Sequence, residues 1–469
     1  MRPSLRARLL SVLAVVPLVL TLATVPAPAA PRADSRADSR AGSADTLFPS
    51  LGHSGYDVRH YDVSLDYFPA TNRLKARTRI RAVATTRLRS FALDLVGMRV
   101  RAVRVGGAAA RWHRRGQQLV VVPRAPVRGR FTVVVEYAGV PRTYFDADGS
   151  KEGWVPTKDG AIALGEPVGT MTWIPSNNTP RDKARYTFRV TVPRGVQAVA
   201  NGNLARRARH GARTTWTWQA RDPMATYLAM VAVGRFKVYR STARSITGRK
   251  VPVWTFADPR HDVPLSVRRA LPRVMRFEER LFGPYPFTST GMVVDDADVG
   301  YALETQTRPF YPFDVDSGTL VHEMAHQWYG DSVGFRDWHD IWLAEGFATY
   351  AEWLWGEAQG EEGPAERFDA LYARPASAPL WRPAPTQFTG PQDLFGDPVY
   401  LRGAMTLQAL RERIGDADFF AFLKTWARTH RHGTASTAQL VAVAERVSGE
   451  QLDALFADWL ELDGRPAGY

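Results

Sequence analysis

Apolar and polar residues alternate with a period of two over residues 61–67 (YDVSLDY). Residues 131–137, 186–192 and 214–218 share that alternation or a β-branched and aromatic composition. Short polar or Gly/Pro breaks separate the runs, so residues 46–240 predict an all-β domain of sandwich or saddle form. The pattern changes after about residue 240. Residues 251–256 and 292–295 read as strands, whereas 267–282 and the chain after Ser317 repeat apolar positions at helical spacing. From Val399 to Leu462 helical periodicity dominates. A small sheet followed by helices predicts an α+β domain over 241–469.

Two segments precede these domains. Residues 1–30 carry Arg2, Arg6 and Arg8, an apolar run from Leu9 to Val25, and the small residues Ala27, Ala29 and Ala30, which is the pattern of a secretory signal peptide. No arginine pair is present there, which favours the general secretion route over the twin-arginine one. The alternative is an uncleaved membrane anchor, for which the run is marginal in length and interrupted by Pro17. Residues 31–45 repeat Arg-Ala-Asp-Ser at 32–35 and 36–39. This polar, aromatic-free stretch buries too little surface to offset its ordering entropy and predicts a disordered linker.

Composition adds three constraints. The 469 residues are 45% hydrophobic, enough for substantial cores in two or three domains. There is no cysteine, so an exported chain of this kind does without disulfides. The net charge is +14, carried almost wholly by arginine beside seven lysines, and with the many alanines this fits GC-rich bacterial coding. Basic clusters at Arg206-Arg207 and His113-Arg114-Arg115 have one neighbouring ring, Trp112, and no nucleic-acid motif accompanies them. Nucleic acid is therefore not expected as a partner. Solvated surface is the favoured reading of the charge, with a weak electrostatic association with an anionic cell surface as its functional counterpart.

Candidate chemistry is concentrated in one motif. His322, Glu323 and His326 form H-E-x-x-H, and Glu345 follows after eighteen residues in W-L-A-E-G-F-A. Residues four apart share a helix face, so both imidazoles reach one metal. Glu345 completes a His₂Glu set that leaves a fourth zinc position open, and Glu323 sits where a general base is needed. The flanking Leu320, Val321, Met324, Ala325 and Trp328 mark a buried helix, where unpaired imidazoles and carboxylates are costly unless a metal holds them.

These motifs resemble the aminopeptidase N-like zinc metallopeptidases (gluzincins), which include leukotriene hydrolase. The resemblance rests on H-E-M-A-H-Q-W-Y-G-D from His322, W-L-A-E-G-F-A-T-Y from Trp342, Y-A-L-E-T from Tyr301, Y-L-R-G from Tyr400, and G-E-P with W-I-P-S-N between Gly165 and Asn177. They occur in the family's order from about residue 46 onward. The resemblance implies a thermolysin-like architecture for residues 241–469, one zinc ion per chain, and no room for the large C-terminal helical domain of longer relatives. It also implies that Tyr400 stabilises the oxyanion and that Glu304 and Glu166 bind the substrate's α-ammonium group. Asp331 is read as an outer residue that orients a ligand. The sequence departs from the commonest family pattern at Tyr301, Thr305, Leu164 and Ala344, without losing a ligand, base or anchor.

The expected function is a secreted, monomeric zinc aminopeptidase that hydrolyses the N-terminal bond of peptides with a zinc-activated water. Its partners would be peptides with a free N-terminus. Two alternatives stand beside it: a catalytically weak or inactive relative acting as a binding protein, and a zinc hydrolase of other specificity, such as an endopeptidase or epoxide hydrolase.

Overall fold

The computed structural model describes residues 45–467. The signal peptide and linker expected at 1–30 and 31–45 therefore lie outside the described residues, Asp45 excepted. Residues 46–55 form turns and bends, and the alternating pattern opens into β structure at Tyr56. In Tyr56–Phe68 the inward residues Tyr61, Val63, Leu65 and Tyr67 are at most 1% exposed, while Asp62, Ser64 and Asp66 are only half-buried. This strand pairs antiparallel with Arg73–Leu88 and parallel with Ala184–Pro193, at the centre of an eight-stranded sheet.

One face of that sheet packs on a five-stranded sheet made of Gln197–Ala200, Val231–Gly234, Ala161–Leu164, Lys151–Pro156 and Thr143–Phe145. Aromatic residues fill the seam. Tyr67 meets Trp154 edge-on, Trp154 meets Trp173, and Trp173 stacks on Phe188. Buried polar tips find partners: Tyr67 Oη donates to the Gly160 carbonyl, and Trp218 Nε1 to that of Ala198.

The next strand, Lys237–Arg244, already belongs to another sheet. It pairs with Lys250–Ala257, and Thr290–Val294 and Phe310–Tyr311 complete four strands. The helices are α1 (Leu265–Phe282), α2 (Ser317–Ala325), α3 (Trp342–Gln359), α4 (Pro364–Tyr372), α5 (Gly403–Thr429), α6 (Thr437–Ser448) and α7 (Asp453–Leu460). Asp316 caps α2 by accepting from Thr319 N at 2.9 Å, and Gly360 ends α3 in the left-handed conformation at φ 80°. No helix among the described residues is long and apolar enough to cross a membrane.

Two contacts set the geometry of the helical half. A Cβ on Gly346 would lie 2.9 Å from the backbone of Gly403, so α3 and the start of α5 touch main chain to main chain. Just before that contact, Pro398–Arg402 forms a π-helical turn. Arg402, fully buried, donates to the carbonyls of Trp381, Asp458, Trp459 and Leu462. Its planar fork fixes the turn against the end of α7 and the segment beyond it. Gly346→Ala is expected to cost about 1–3 kcal/mol through overpacking, read as a lower denaturant midpoint at unchanged slope. Stability within experimental error of the parent would mean that the helices separate without penalty.

Candidate metal centre and substrate pocket

The two imidazoles come from α2 and its last turn: His322 lies within the helix and His326 is the C-cap residue, still in the right-handed helical conformation. Glu345 enters from the first turn of α3, in the helix that the Gly346 contact holds in place. One ligand atom from each of the three lies within 4.8 Å of the others. Glu345 Oε2 is 3.2 Å from His322 Nε2 and 3.4 Å from His326 Nε2.

The other nitrogen of each ring is occupied. His326 Nδ1 lies 3.1 Å from the Tyr329 carbonyl oxygen, which only accepts, so Nδ1 carries hydrogen and Nε2 is left to face Glu345. His322 Nδ1 lies 2.6 Å from Glu352 Oε1. Glu352 is seven residues after Glu345, two turns along the same face of α3. Outer partners of this kind set tautomer and ring orientation in metal sites. Sequence reading did not single out this carboxylate; its seven-residue spacing from Glu345 in an apolar helix was the available signal. Asp331, expected to orient a ligand, is fully buried nearby. Its N–H donates to the His326 carbonyl, but its side chain forms no hydrogen bond to either imidazole; Glu352 and the Tyr329 carbonyl hold the rings.

Charge in this cluster is strongly coupled. Burial alone would raise the Glu345 carboxyl, yet His326 and His322 bring it down to about 2. Burial would lower both imidazoles, but Glu345 lifts His326 to about 9, and Glu345 with Glu352 lifts His322 well above its usual value. The donor set of two neutral-capable imidazoles and one carboxylate, with one atom each directed to a common point, fits a zinc ion.

A cavity of ≈ 320 Å³ opens beside this centre and is lined by Glu166, Glu304, Glu323 and Tyr400 as well as the three ligands. The carboxylates of Glu166, Glu304 and Glu345 offer oxygens within 4.8 Å of one another. Burial, reinforced by neighbouring carboxylates, raises Glu166 well above the ordinary range, also raises Glu304, and lifts Glu323 to about 8. Oxygens of Glu166, Glu304 and Glu323 have no hydrogen-bond partner. The Tyr400 ring lies 6.1 Å from that of His322. All seven sequence-nominated residues other than Asp331 therefore meet in one cavity.

Glu166 and Glu304 each have their own support. Glu166 follows strand Ala161–Leu164, and a Cβ on the preceding Gly165 would lie 2.3 Å from the Tyr227 carbonyl oxygen, so only glycine fits that approach. Glu304 is held through its backbone: its carbonyl accepts from Gln327 Nε2 at 3.2 Å, and Gln327 Oε1 accepts from Thr307 N at 2.8 Å. Thr305 donates to the Arg308 carbonyl at 2.6 Å and closes the same loop. Tyr301 lines the pocket, and its hydroxyl donates to the Lys151 carbonyl at 2.7 Å, tying the Glu304 segment to the β domain. Asp148 and Ser150, just before Lys151, also border the cavity. Nothing in their local sequence distinguishes them from turn residues.

A β domain joined to a helical domain that carries a His₂Glu centre and an acidic pocket defines a zinc metallopeptidase of the H-E-x-x-H class. Models of the peptidase M1 N-terminal domain and of the peptidase family M1 domain match residues 58–228 and 316–459. An M1 zinc metallopeptidase from Deinococcus radiodurans, solved with a Tyr-Ser-Ala substrate, is 32% identical with a TM-score of 0.80, covering 91% of this chain and 99% of that one. The chain belongs to peptidase family M1. Among curated relatives, aminopeptidase M1-D of Oryza sativa is 26% identical over 337 residues, 66% of this chain and 38% of that protein. Aminopeptidase N of Streptomyces lividans is 26% identical over 314 residues, 61% of this chain and 36% of that protein. The chain thus spans about two fifths of the length of the curated relatives it matches.

Glu352→Gln is expected to weaken zinc binding by about 10- to 100-fold, as loss of an outer partner to a ligand does. Competition with a chromophoric chelator measures it. Unchanged affinity would leave Glu352 without an orienting role.

Proposed function

We propose that this protein is an exported zinc aminopeptidase that removes the N-terminal residue of peptides with a free α-amine. The observation that carries the reading is the group of Glu166, Glu304 and Glu345 oxygens within 4.8 Å: two anchors for a cation lie directly beside a metal ligand. Bound zinc supplies Lewis acidity, polarising the scissile carbonyl and bringing the pKa of a water toward 7. The chain's own residues do the rest. Glu304 and Glu166 accept charge-assisted hydrogen bonds from the substrate ammonium, one from each domain, and so set the first peptide bond at the centre. Glu323 takes the proton from the attacking water and returns it to the departing amine. Tyr400, whose phenol burial keeps protonated, donates to the oxygen on which charge develops. Glu352 and the Tyr329 carbonyl hold the ligand rings throughout. The substrate-bound Deinococcus relative supports a peptide ligand for this pocket; export is supported by the sequence of residues 1–30.

The test follows one peptide by mass spectrometry, with its N-terminus free or acetylated, using zinc-loaded and chelator-treated protein. Stepwise trimming of the free peptide alone, abolished by chelation, is expected. Internal cleavage, or no trimming by zinc-bound folded protein over varied N-terminal residues, would overturn the reading in favour of another hydrolase or a binding protein.

Two variants separate the roles. Glu323→Gln should keep its zinc and lose about 10²- to 10⁴-fold in kcat; near-parental turnover would remove it as the base. Tyr400→Phe should lower kcat by about 10²-fold with little change in KM, because its hydrogen bond forms in the transition state. A change confined to KM would assign the ring to substrate binding instead.

A further inference from the structure

The eight-stranded sheet uses only one face for the core, and its other face is basic. Along Arg73–Leu88 the outward positions from 73 to 81 are Arg73, Lys75, Arg77, Arg79 and Arg81, and the residues between them are buried. Alternate residues on a strand stand about 6.6 Å apart, and neighbouring strands about 4.8 Å, so this is a regular ladder of charge. Register extends it sideways. Arg81 is opposite His60, which is opposite Arg185; on the far side, Arg79 is opposite Val134, which is opposite Arg104.

Four carboxylates share this face, and each already has an arginine. Asp57 pairs with Arg59, Asp62 with Arg189, Asp66 with Arg213, and Glu136 with Arg77 at 3.9 Å. Among the described residues Arg79, Arg81, Arg104, Arg130 and Arg185 form no ion pair, and they are exposed or half-buried. A shallow depression near the centre is bordered by Lys75, Arg77, Arg101 and Arg189, with the paired carboxylates Asp66 and Glu136 beside them. None of the pocket-lining residues at the metal centre comes from this sheet.

We propose that this face docks a flexible linear polyanion that carries no aromatic groups, held by its repeated negative charge, for which a polymer of phosphate esters is the probe. Charge complementarity calls for a polyanion, and two features select its form. Strand twist of about 20° per neighbour accumulates to well over 100° across eight strands, so a planar bilayer meets only part of the face while a flexible chain follows it. None of the exposed large hydrophobic residues among the described ones lies on the face, and its half-buried Phe68 is already covered by Lys75 and Arg213, which leaves little to insert into lipid or to stack on bases. Docking here leaves the peptidase pocket open, and the proposal does not depend on the aminopeptidase reading.

The experiment measures binding of labelled poly(glycerol phosphate) to the full chain over a range of NaCl concentrations. It uses the parent, the triple variant Arg79→Gln, Arg81→Gln, Arg104→Gln, and a control triple variant Arg269→Gln, Arg273→Gln, Arg276→Gln. The control residues are exposed on α1 and remove the same charge from another surface. The parent is expected to bind with log K falling linearly in log salt. The face variant should bind at least tenfold more weakly, with a slope shallower by about two, as three lost contacts to a single-stranded polyanion imply. The α1 variant should stay within about twofold of the parent. Equal loss in both variants, or no binding by the parent at low salt, would overturn the proposal. So would tighter binding, at equal charge, to phosphatidylglycerol vesicles or to an oligo-dC strand; these outcomes would assign the face to a membrane or to nucleic acid. Trimming of a free-amine peptide should proceed at the same rate with polymer bound.

Discussion

Glu345 contacts both His322 and His326, and Glu166, Glu304 and Glu323 crowd the same enclosed cavity. Two like charges 4.8 Å apart repel by about 3–4 kcal/mol at an effective dielectric of 20, so such a set is stable only with compensation. Protons, a metal and a substrate ammonium are the compensating charges available. Burial has already shifted Glu166, Glu304 and Glu323 toward their neutral forms, while the imidazoles keep Glu345 ionised. A cation entering the cavity replaces those protons as the compensating charge. The same arrangement separates the carboxylates: the one kept ionised is the metal ligand, and those raised by burial line the cavity beside it.

Holding these groups together requires rigid joints between the domains. Lys183, on strand Ala184–Pro193's approach, donates its three hydrogens to the carbonyls of Asp331, Ser332 and Gly433 at 2.7, 2.9 and 3.0 Å. It thereby joins the β domain to the turn after the metal-binding helix and to the segment before α6. Arg308, fully buried over the Trp218 ring, donates to the carbonyls of Ala200 and Gly202 and anchors the loop that carries Glu304. Lys151 is gripped twice, by Tyr301 on its carbonyl and Asp298 on its ammonium. Each joint uses a long cationic or phenolic side chain to satisfy backbone carbonyls that domain docking would otherwise bury unpaired, a cost of about 1–3 kcal/mol each.

How much of this was legible in the sequence depended on the range of the interaction. Alternation over 61–67 and helical spacing over 267–282 appear as Tyr56–Phe68 and α1, because both report one face turned toward a core. The ligand triad was legible because H-E-x-x-H is a local helical spacing and Glu345 sits in an apolar helix that needs a reason for its charge. Tyr400, Glu304 and Glu166 were reached only through family resemblance, since no local period marks a residue whose partners lie on other elements of the fold. Glu352, Gln327 and Lys183 were missed altogether as functional supports. Their roles arise from contacts across 20 to 250 residues, and a lysine one residue ahead of a strand looks like any other until three carbonyls are found around it. Arg402 shows the intermediate case. The Y-L-R-G motif pointed to its neighbour, while the buried fork that fixes the tyrosine's turn required coordinates.

Charge of opposite sign is therefore segregated within one chain: carboxylates converge inside, at the junction of the domains, and arginines spread over the outward face of the largest sheet. Segregation has a kinetic consequence. A uniformly basic surface would repel a peptide ammonium on its way to an acidic pocket, with an influence reaching about 8 Å at physiological ionic strength. None of the residues that line the pocket belongs to the sheet that carries these arginines, so the two charge sets occupy separate surfaces. The net charge of +14 is accordingly a poor guide to what the site accepts, and the local balance at Glu166, Glu304 and Glu345 is the quantity that decides.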